Sequence, residues 1–412
     1  MAPPSSLPSA KAVAQAAFDE YVVAIDPAAD RTLRDDLEEL AQHFVNLGTL
    51  KTVFIERLVP WSQFVRPPNP GHAAVADFLI TRATASTLSA NYDCLVERQA
   101  WDYGADFVSS LDGDEATARS VIHSPLLKFH GCSIRDRRET VWSKSQLGDP
   151  VIAGRIAKSR TWMAANLREK DLLVVGFWSD WAYLNEILGK ALLDVLPLSI
   201  TVVDKAPADQ LECKAPDLWA LAHLEHVKFR HLEESGADVL EDLRRAFSRA
   251  YLRKVLHAGK EALEEEIGVR CDPAWLHVAD NDSEVLYGLR RDAEGVPSPG
   301  PAKLKTPGAC EVLGLFHLLL RRAGASSTAQ GYELGGRTIR VINGANWVLS
   351  RLKSRFLEAP SIPAADVTAA IGAEDLGLPG NIVRQGRVGD IMRPAAGGQW
   401  VDLKGARELL QV

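Results

Sequence analysis

Residues 172–175 read Leu-Leu-Val-Val, apolar at every position, and pass directly through Gly176 into a helical pattern over residues 181–193. A continuous apolar run of strand length is what a strand buried on both faces requires, and such strands belong to parallel sheets flanked by helices. The arrangement recurs. Residues 198–204 supply a second buried strand ending in Asp204, and HVKFRHL at 226–232 a third, before a helical stretch over 237–256. Upstream, ASTLSANYDCLVERQAW reads as a strand whose polar turn feeds a helix, and SPLLKFHGC as another short apolar run ending in His-Gly. Strands alternating with helices predict an α/β fold, a Rossmann-like, mainly parallel sheet with helices on both faces, over residues 1–255.

Two helices are expected before the first strand. The alanine-rich stretch AKAVAQAAFDEYVVAI has Ser9 as its cap, and TLRDDLEELAQHFVNLG carries acidic residues early and Gly48 at its end. A proline-broken loop, VRPPNPG, then leads into a helix near His72, whose position at a helix start gives it a structural role. Residues 256–412 read as a small α+β appendage: a Pro/Gly-rich linker over 294–309, a helix over 310–322, a hairpin in YELGGRTIRVING and a helix over 346–357.

Composition narrows the function classes. A chain of 412 residues with formal charge −7 has no general attraction for phosphate backbones or anionic membranes, so direct nucleic-acid binding is not expected. No run approaches the roughly 20 apolar residues of a membrane-spanning helix, and the N-terminus lacks a basic stretch followed by an apolar core, which predicts a cytoplasmic protein. Cys94, Cys132, Cys213, Cys271 and Cys310 lie far apart without a C-x-x-C pair, so they read as reduced thiols rather than a zinc module or redox dithiol. No metal site is expected.

Four polar motifs sit at expected strand ends: STLSANYD, LKFHG, VVGFWSDW and TVVDK. Singly, each suits a turn or a helix cap. In Gly176-Phe177-Trp178-Ser179-Asp180, glycine permits close backbone approach to a ligand and Ser179 can donate to a phosphate or ribose oxygen, while Asp180 reads as a cap for the next helix. Asp204 stands where an acidic side chain accepts from ribose hydroxyls in dinucleotide folds.

In order and spacing the motifs resemble the sirtuin superfamily: N-P-G-H-A-A-V-A-D-F-L, then T-L-S-A-N-Y-D-C-L-V-E, then L-L-K-F-H-G. The N-Y-D-x-L-V-E form followed by a G-F-x-S-D turn is most similar to bacterial sirtuin-like proteins of anti-phage defence. The resemblance implies NAD as substrate, cleaved to nicotinamide and ADP-ribose. It implies that Asn91 orients a water or ribose hydroxyl at the anomeric carbon, that Asp93 positions the nicotinamide carboxamide, and that His130 acts as general base. Gly176, Ser179 and Asp204 would then hold the rest of the cofactor. Alignment and a titratable imidazole suit that chemistry, because the leaving group is already cationic.

The chain departs from the family pattern in two places. Deacylating sirtuins carry a four-cysteine zinc module after His-Gly, whereas residues 131–170 hold a single cysteine, which favours simple NAD cleavage over protein deacylation or ADP-ribosyl transfer. The family also opens with a strand and a Gly-Ala-Gly-x-Ser phosphate loop, while this sequence begins MAPPSSLPSAKAVAQ, as though the first strand and loop were missing through a start codon assigned too late. An inactive scaffold or nucleotide-sensing module is the competing expectation. By fold analogy alone, residues 256–412 would dock a defence partner such as an ATPase or Argonaute-like protein, and homo-oligomerisation stays open. The missing loop predicts that the chain starting at Met1 releases little nicotinamide from NAD, while an in-frame upstream extension releases it readily; equal rates from the two would show that other backbone holds the pyrophosphate.

Overall fold

The computed structural model describes residues 3–121, 123–176, 195–290, 307–344, 348–350, 352–353, 364–373 and 398–412. The chain divides into two compact units. The first comprises Met1–Leu79, Thr84–Gln99 and Phe107–Leu240; the second comprises Ile80–Ala83, Ala100–Asp106 and Glu241–Val412. The main division falls inside a single helix, Gly236–Ile267, which also contains the expected boundary at residue 255.

The first unit opens with helices. Ser9 caps Ala10–Ala24 by accepting from the Ala12 N–H at 3.2 Å, and Asp36 caps Leu37–Asn46 through the N–H groups of Glu38 and Glu39. A π-helical segment, Leu50–Leu58, follows and was not expected. Val13, Phe18, Tyr21, Phe44, Phe54 and Trp61 form one aromatic-rich core with these elements. A further helix, Pro70–Ile80, begins at the proline-broken loop.

Two parallel sheets follow. β1 (Thr87–Leu88) pairs with β2 (Leu126–Leu127), and β3 (Asp171–Val175), β4 (Ser199–Val203) and β5 (Lys228–Leu232) form a second sheet in that order. The α/β class and the parallel sense agree with expectation. A single continuous sheet is not formed among the described residues; instead both sheets face one core containing Leu127, Phe129, Ile152, Met163, Ile200 and Val202.

The expectation that residues 172–175 are buried on both faces is corrected. Leu173 is 43% exposed and Val175 36%, alternating with half-buried Leu172 and Val174. The pleat explains this, since successive side chains point to opposite faces and only one face of β3 meets the shared core. The helical pattern expected over 181–193 lies outside the described residues.

The second unit carries a five-stranded sheet in the order β10-β9-β8-β7-β6, from β6 (Ser326–Thr328), β7 (Gly331–Leu334), β8 (Arg337–Asn343), β9 (Val367–Ile371) and β10 (Gln399–Val401). β6, β7 and β8 are antiparallel neighbours; β8, β9 and β10 are parallel. The expected hairpin is β7–β8, with Gly335 and Gly336 both at positive φ in its two-residue turn, a backbone conformation that glycine adopts without strain. The expected helix over 310–322 is Pro307–Arg322. The linker expected over 294–309 lies almost wholly, and the helix expected over 346–357 mostly, outside the described residues. No helix among the described residues is long and apolar enough to cross a membrane.

Helices Gly236–Ile267 and Pro307–Arg322 cross at Gly259 and Gly314. A Cβ on Gly314 would lie 2.0 Å from the Val255 carbonyl oxygen, and one on Gly259 would lie 2.1 Å from the Gly314 carbonyl carbon. Alanine normally gains up to about 1 kcal/mol over glycine inside a helix. Here the obstruction is backbone, which yields less readily than a side chain, so the clash dominates. Gly314→Ala is expected to destabilise the protein by about 1–3 kcal/mol in denaturant unfolding; a stabilised variant would show that the helices separate at no cost.

Candidate functional site

Parallel pairing sends the chain out of β1 and β2 at the same sheet end, and both strands run straight into a motif. Thr87 pairs with Leu126 and Leu88 with Leu127, and the Ser89 N–H continues the ladder to the Leu127 carbonyl at 2.9 Å. Beyond this point lie Asn91-Tyr92-Asp93 on one side and Lys128-Phe129-His130-Gly131 on the other. They are tied directly. The Ser133 N–H donates to the Tyr92 carbonyl at 2.9 Å, Lys128 Nζ donates to the Asp93 carbonyl, and the Tyr92 ring stacks on the His130 ring at 6.2 Å.

Asn91 is exposed, and its N–H is held by Ser89 Oγ at 3.1 Å, leaving the amide at the surface of the turn. Asp93 is buried, and its carboxylate accepts from the Leu95 N–H at 3.0 Å, which caps the helix Leu95–Asp102. The carboxylate that the resemblance implies for the nicotinamide carboxamide is thus already engaged by a backbone N–H. His130 is fully buried. Tyr92 and Phe129 pack on its ring, and burial, with the Arg155 guanidinium as a second cause, pushes the imidazole down to about 3. The imidazole is therefore neutral at physiological pH but a weak base in this conformation, and Tyr92, which follows Asn91 in the same turn, is packed on it.

Gly131 is required by geometry. It sits at φ +104, where a Cβ would stand 2.9 Å from Thr140 Cα. The following loop is tied down by an ion pair and a backbone contact. Arg155 pairs with Asp136 at 2.5 Å, and the Asp136 carboxylate accepts from the Cys132 N–H at 2.7 Å. Among the described residues, no group of three or more His, Cys, Asp or Glu side chains is arranged to hold a metal ion.

The sequence reading missed a buried ion pair joining two of its own motifs. Lys128, 2% exposed, meets Glu97, 1% exposed, with Nζ to Oε1 at 2.7 Å. Burial opposes the charge on Lys128, but Glu97, Cys132 and Asp93 around it hold the ammonium above its ordinary range. The signal was present: opposite charges directly after short apolar runs, Glu97 after Cys94-Leu95-Val96 and Lys128 after Leu126-Leu127. His72 belongs to the same neighbourhood. Its Nδ1 accepts from the Asn69 N–H at 3.2 Å while its own N–H donates to Asn69 Oδ1 at 3.1 Å, a reciprocal cap for Pro70–Ile80. Burial lowers the His72 pKa against the pull of Asp93, with Lys128 adding to the lowering.

Gly176 and Asp204 lie together at the end of the second sheet. The Gly176 N–H donates to the Val203 carbonyl at 3.0 Å, and the Asp204 N–H to the Leu232 carbonyl at 3.1 Å. Gly176, at φ +63, has open space where a Cβ would be. Asp204 holds its own turn by accepting from the Ala206 N–H at 2.8 Å. Ser179 lies outside the described residues. The structure thus ties Asn91, Asp93 and His130 into one cluster and Gly176 and Asp204 into another, with no strand pairing joining the two sheets among the described residues.

Comparison with protein-family models and with curated proteins gave no match to either.

Buried neutral histidines make stability depend on pH. His130 is held near 3 against an ordinary value of 6.5, and His317 in the second unit likewise. Between those values the unfolded chain binds the proton and the folded chain does not, so stability is full above about pH 6.5 and falls as pH drops toward about 3. From about pH 7 to about pH 5 each histidine is expected to cost about 2 kcal/mol of unfolding free energy. His130→Gln should remove one such contribution from the slope in denaturant titrations; an unchanged slope would show that His130 is protonated in the fold.

Proposed function

We propose that the first unit is a sirtuin-like, Rossmann-like nucleotide-binding domain that cleaves the nicotinamide–ribose bond of NAD, as an NAD glycohydrolase acting in anti-phage defence by depleting the cofactor. The observation that carries the reading is the parallel β1–β2 pair, which delivers Asn91-Tyr92-Asp93 and His130 to one sheet end with Tyr92 stacked on His130. In this reading Asn91, exposed at the turn, aligns the water or ribose hydroxyl at the anomeric carbon. His130 takes up the proton once the site opens and relieves the burial that holds its imidazole down to about 3. Asp93 contributes to the nicotinamide pocket mainly by fixing the turn, since its carboxylate is engaged at Leu95. Gly176 and Asp204 offer close backbone approach and a ribose-facing carboxylate, with Ser179 beside them in sequence. NAD enters as a substrate, and no zinc takes part.

The second reading is a nucleotide-sensing or scaffold module, and the full burial of His130 is the observation that favours it. Nicotinamide release separates the two. NAD is incubated with the protein, and nicotinamide is followed chromatographically. The enzyme reading expects nicotinamide release that falls by roughly a hundredfold or more in Asn91→Ala and in His130→Ala while the fold survives. Saturable NAD binding with no release, in the presence of candidate partners or phage, decides for the sensor.

A further inference from the structure

The Lys128–Glu97 pair connects the chain segments that carry Asn91 and His130. We propose that Lys128, neutralised by Glu97, is a positioning residue that fixes the Asn91–Asp93 turn against the His130–Gly131 turn and so sets the spacing on which cleavage depends. This rests on the NAD-cleaving reading above.

Three features make the pair more than filling for the core. First, Lys128 follows β2 immediately and stands two residues before His130, so its stem is anchored by the ladder; its N–H donates to the Ser110 carbonyl at 2.8 Å. Second, the ammonium makes two kinds of contact. It pairs with Glu97 at 2.7 Å and donates to the main-chain carbonyl of Asp93, the residue closing the Asn91 turn. Third, Asp93 is then held from both ends, because its carboxylate is already bound to the Leu95 N–H at 3.0 Å on the helix that carries Glu97. Lysine, glutamate and the Asp93 peptide thereby close a ring linking β2, the turn after β1 and the helix Leu95–Asp102.

A stabilising role alone does not explain this choice of residues. Replacing a buried ion pair by apolar side chains of similar volume is often neutral or stabilising, so packing would favour two hydrophobes here. What hydrophobes do not supply is a directed donor to one carbonyl oxygen. Other ties in the region act on Tyr92, through Ser133 and through the Tyr92 hydroxyl to the Val141 carbonyl. They leave the Asp93 peptide to Lys128. Small displacements matter at such a site, because misplacement by about 1 Å can cost on the order of a hundredfold in rate.

The test uses the full chain carrying Lys128→Met together with Glu97→Leu, which removes both charges and strands neither. The expected thermal midpoint stays within about 5 °C of the parent, while amide hydrogen exchange of residues 92–95 accelerates by about tenfold or more and that of the helix Pro150–Asn166 does not change. In the form of the protein that releases nicotinamide, kcat is expected to fall at least about tenfold with KM within about twofold, the signature of lost alignment rather than lost binding. Unchanged exchange at residues 92–95, or an unchanged kcat, overturns the proposal. Should that variant not fold, Lys128→Gln with Glu97→Gln carries the same readouts, since the amide at 128 is shorter than lysine and uncharged. If the parent protein cleaves no NAD in any form, the proposed activity falls, and the exchange measurement alone decides whether Lys128 holds the turn.

Discussion

An ammonium group sealed from water is tolerated only beside a fixed anion, and the first unit is arranged around one such group. Removing either partner of a buried pair typically costs about 3–5 kcal/mol, because the remaining charge is stranded. Lys128 and Glu97 are each almost completely buried and lie 31 positions apart in sequence. Their meeting therefore requires β2 and the helix Leu95–Asp102 to be in place together. Once they are, the Asp93 carbonyl falls within reach of the same ammonium, and the turn between β1 and that helix is no longer free to choose its conformation. A long-range electrostatic requirement thus specifies a local backbone geometry.

The same turn is fixed from its other side by aromatic packing. Tyr92 belongs to the core of the N-terminal helices, stacking on Trp142 with ring centroids 4.5 Å apart, while Trp142 meets Phe54 and Trp61 edge-on. The Tyr92 hydroxyl, which needs a partner when buried, finds the Val141 carbonyl. The middle residue of Asn-Tyr-Asp is consequently a core residue. Its neighbours divide the remaining roles: Asn91 faces solvent and Asp93 caps a helix.

Much of this organisation was legible in the sequence, and the parts that were not share a cause. The Ser9 cap, the glycine-turned hairpin of β7–β8 and the strands at 198–204 and 226–232 are written in local chemistry: a hydroxyl before a helix, two glycines in a turn, an apolar run of strand length, and Val227 and Phe229 alternating with Lys228 and Arg230. The motifs at the ends of β1 and β2 were legible for the same reason. The π-helical segment Leu50–Leu58 was not, since its apolar residues also fit an ordinary helix and its widened turns serve packing against Trp142 rather than a local preference. The exposure of Leu173 and Val175 was misread because an apolar run reports the side-chain types and not which face the sheet offers to the core. Lys128 with Glu97, and Asn69 with His72, were invisible as pairs. Each residue had an ordinary solo explanation, and only the fold supplies the partner.

The burial of His130 bears on how a base of this kind could be regulated. Withdrawn from water and set near a guanidinium, the imidazole stays neutral far below physiological pH, and the same two causes make it a weak base as long as it is buried. Access is the limiting variable. The side chain standing over it is Tyr92, whose hydroxyl and ring are committed to Val141 and Trp142, so exposing His130 means exchanging those contacts for others. A bound ligand can move that equilibrium only by the free energy with which it prefers the open arrangement. In the NAD-cleaving reading, a ligand that reaches His130 past Tyr92 has to exchange the Tyr92 contacts, its stacking on Trp142 among them. This separates two tasks within one short segment: Lys128 sets where the turn lies, and the aromatic core sets whether the base behind it can be reached.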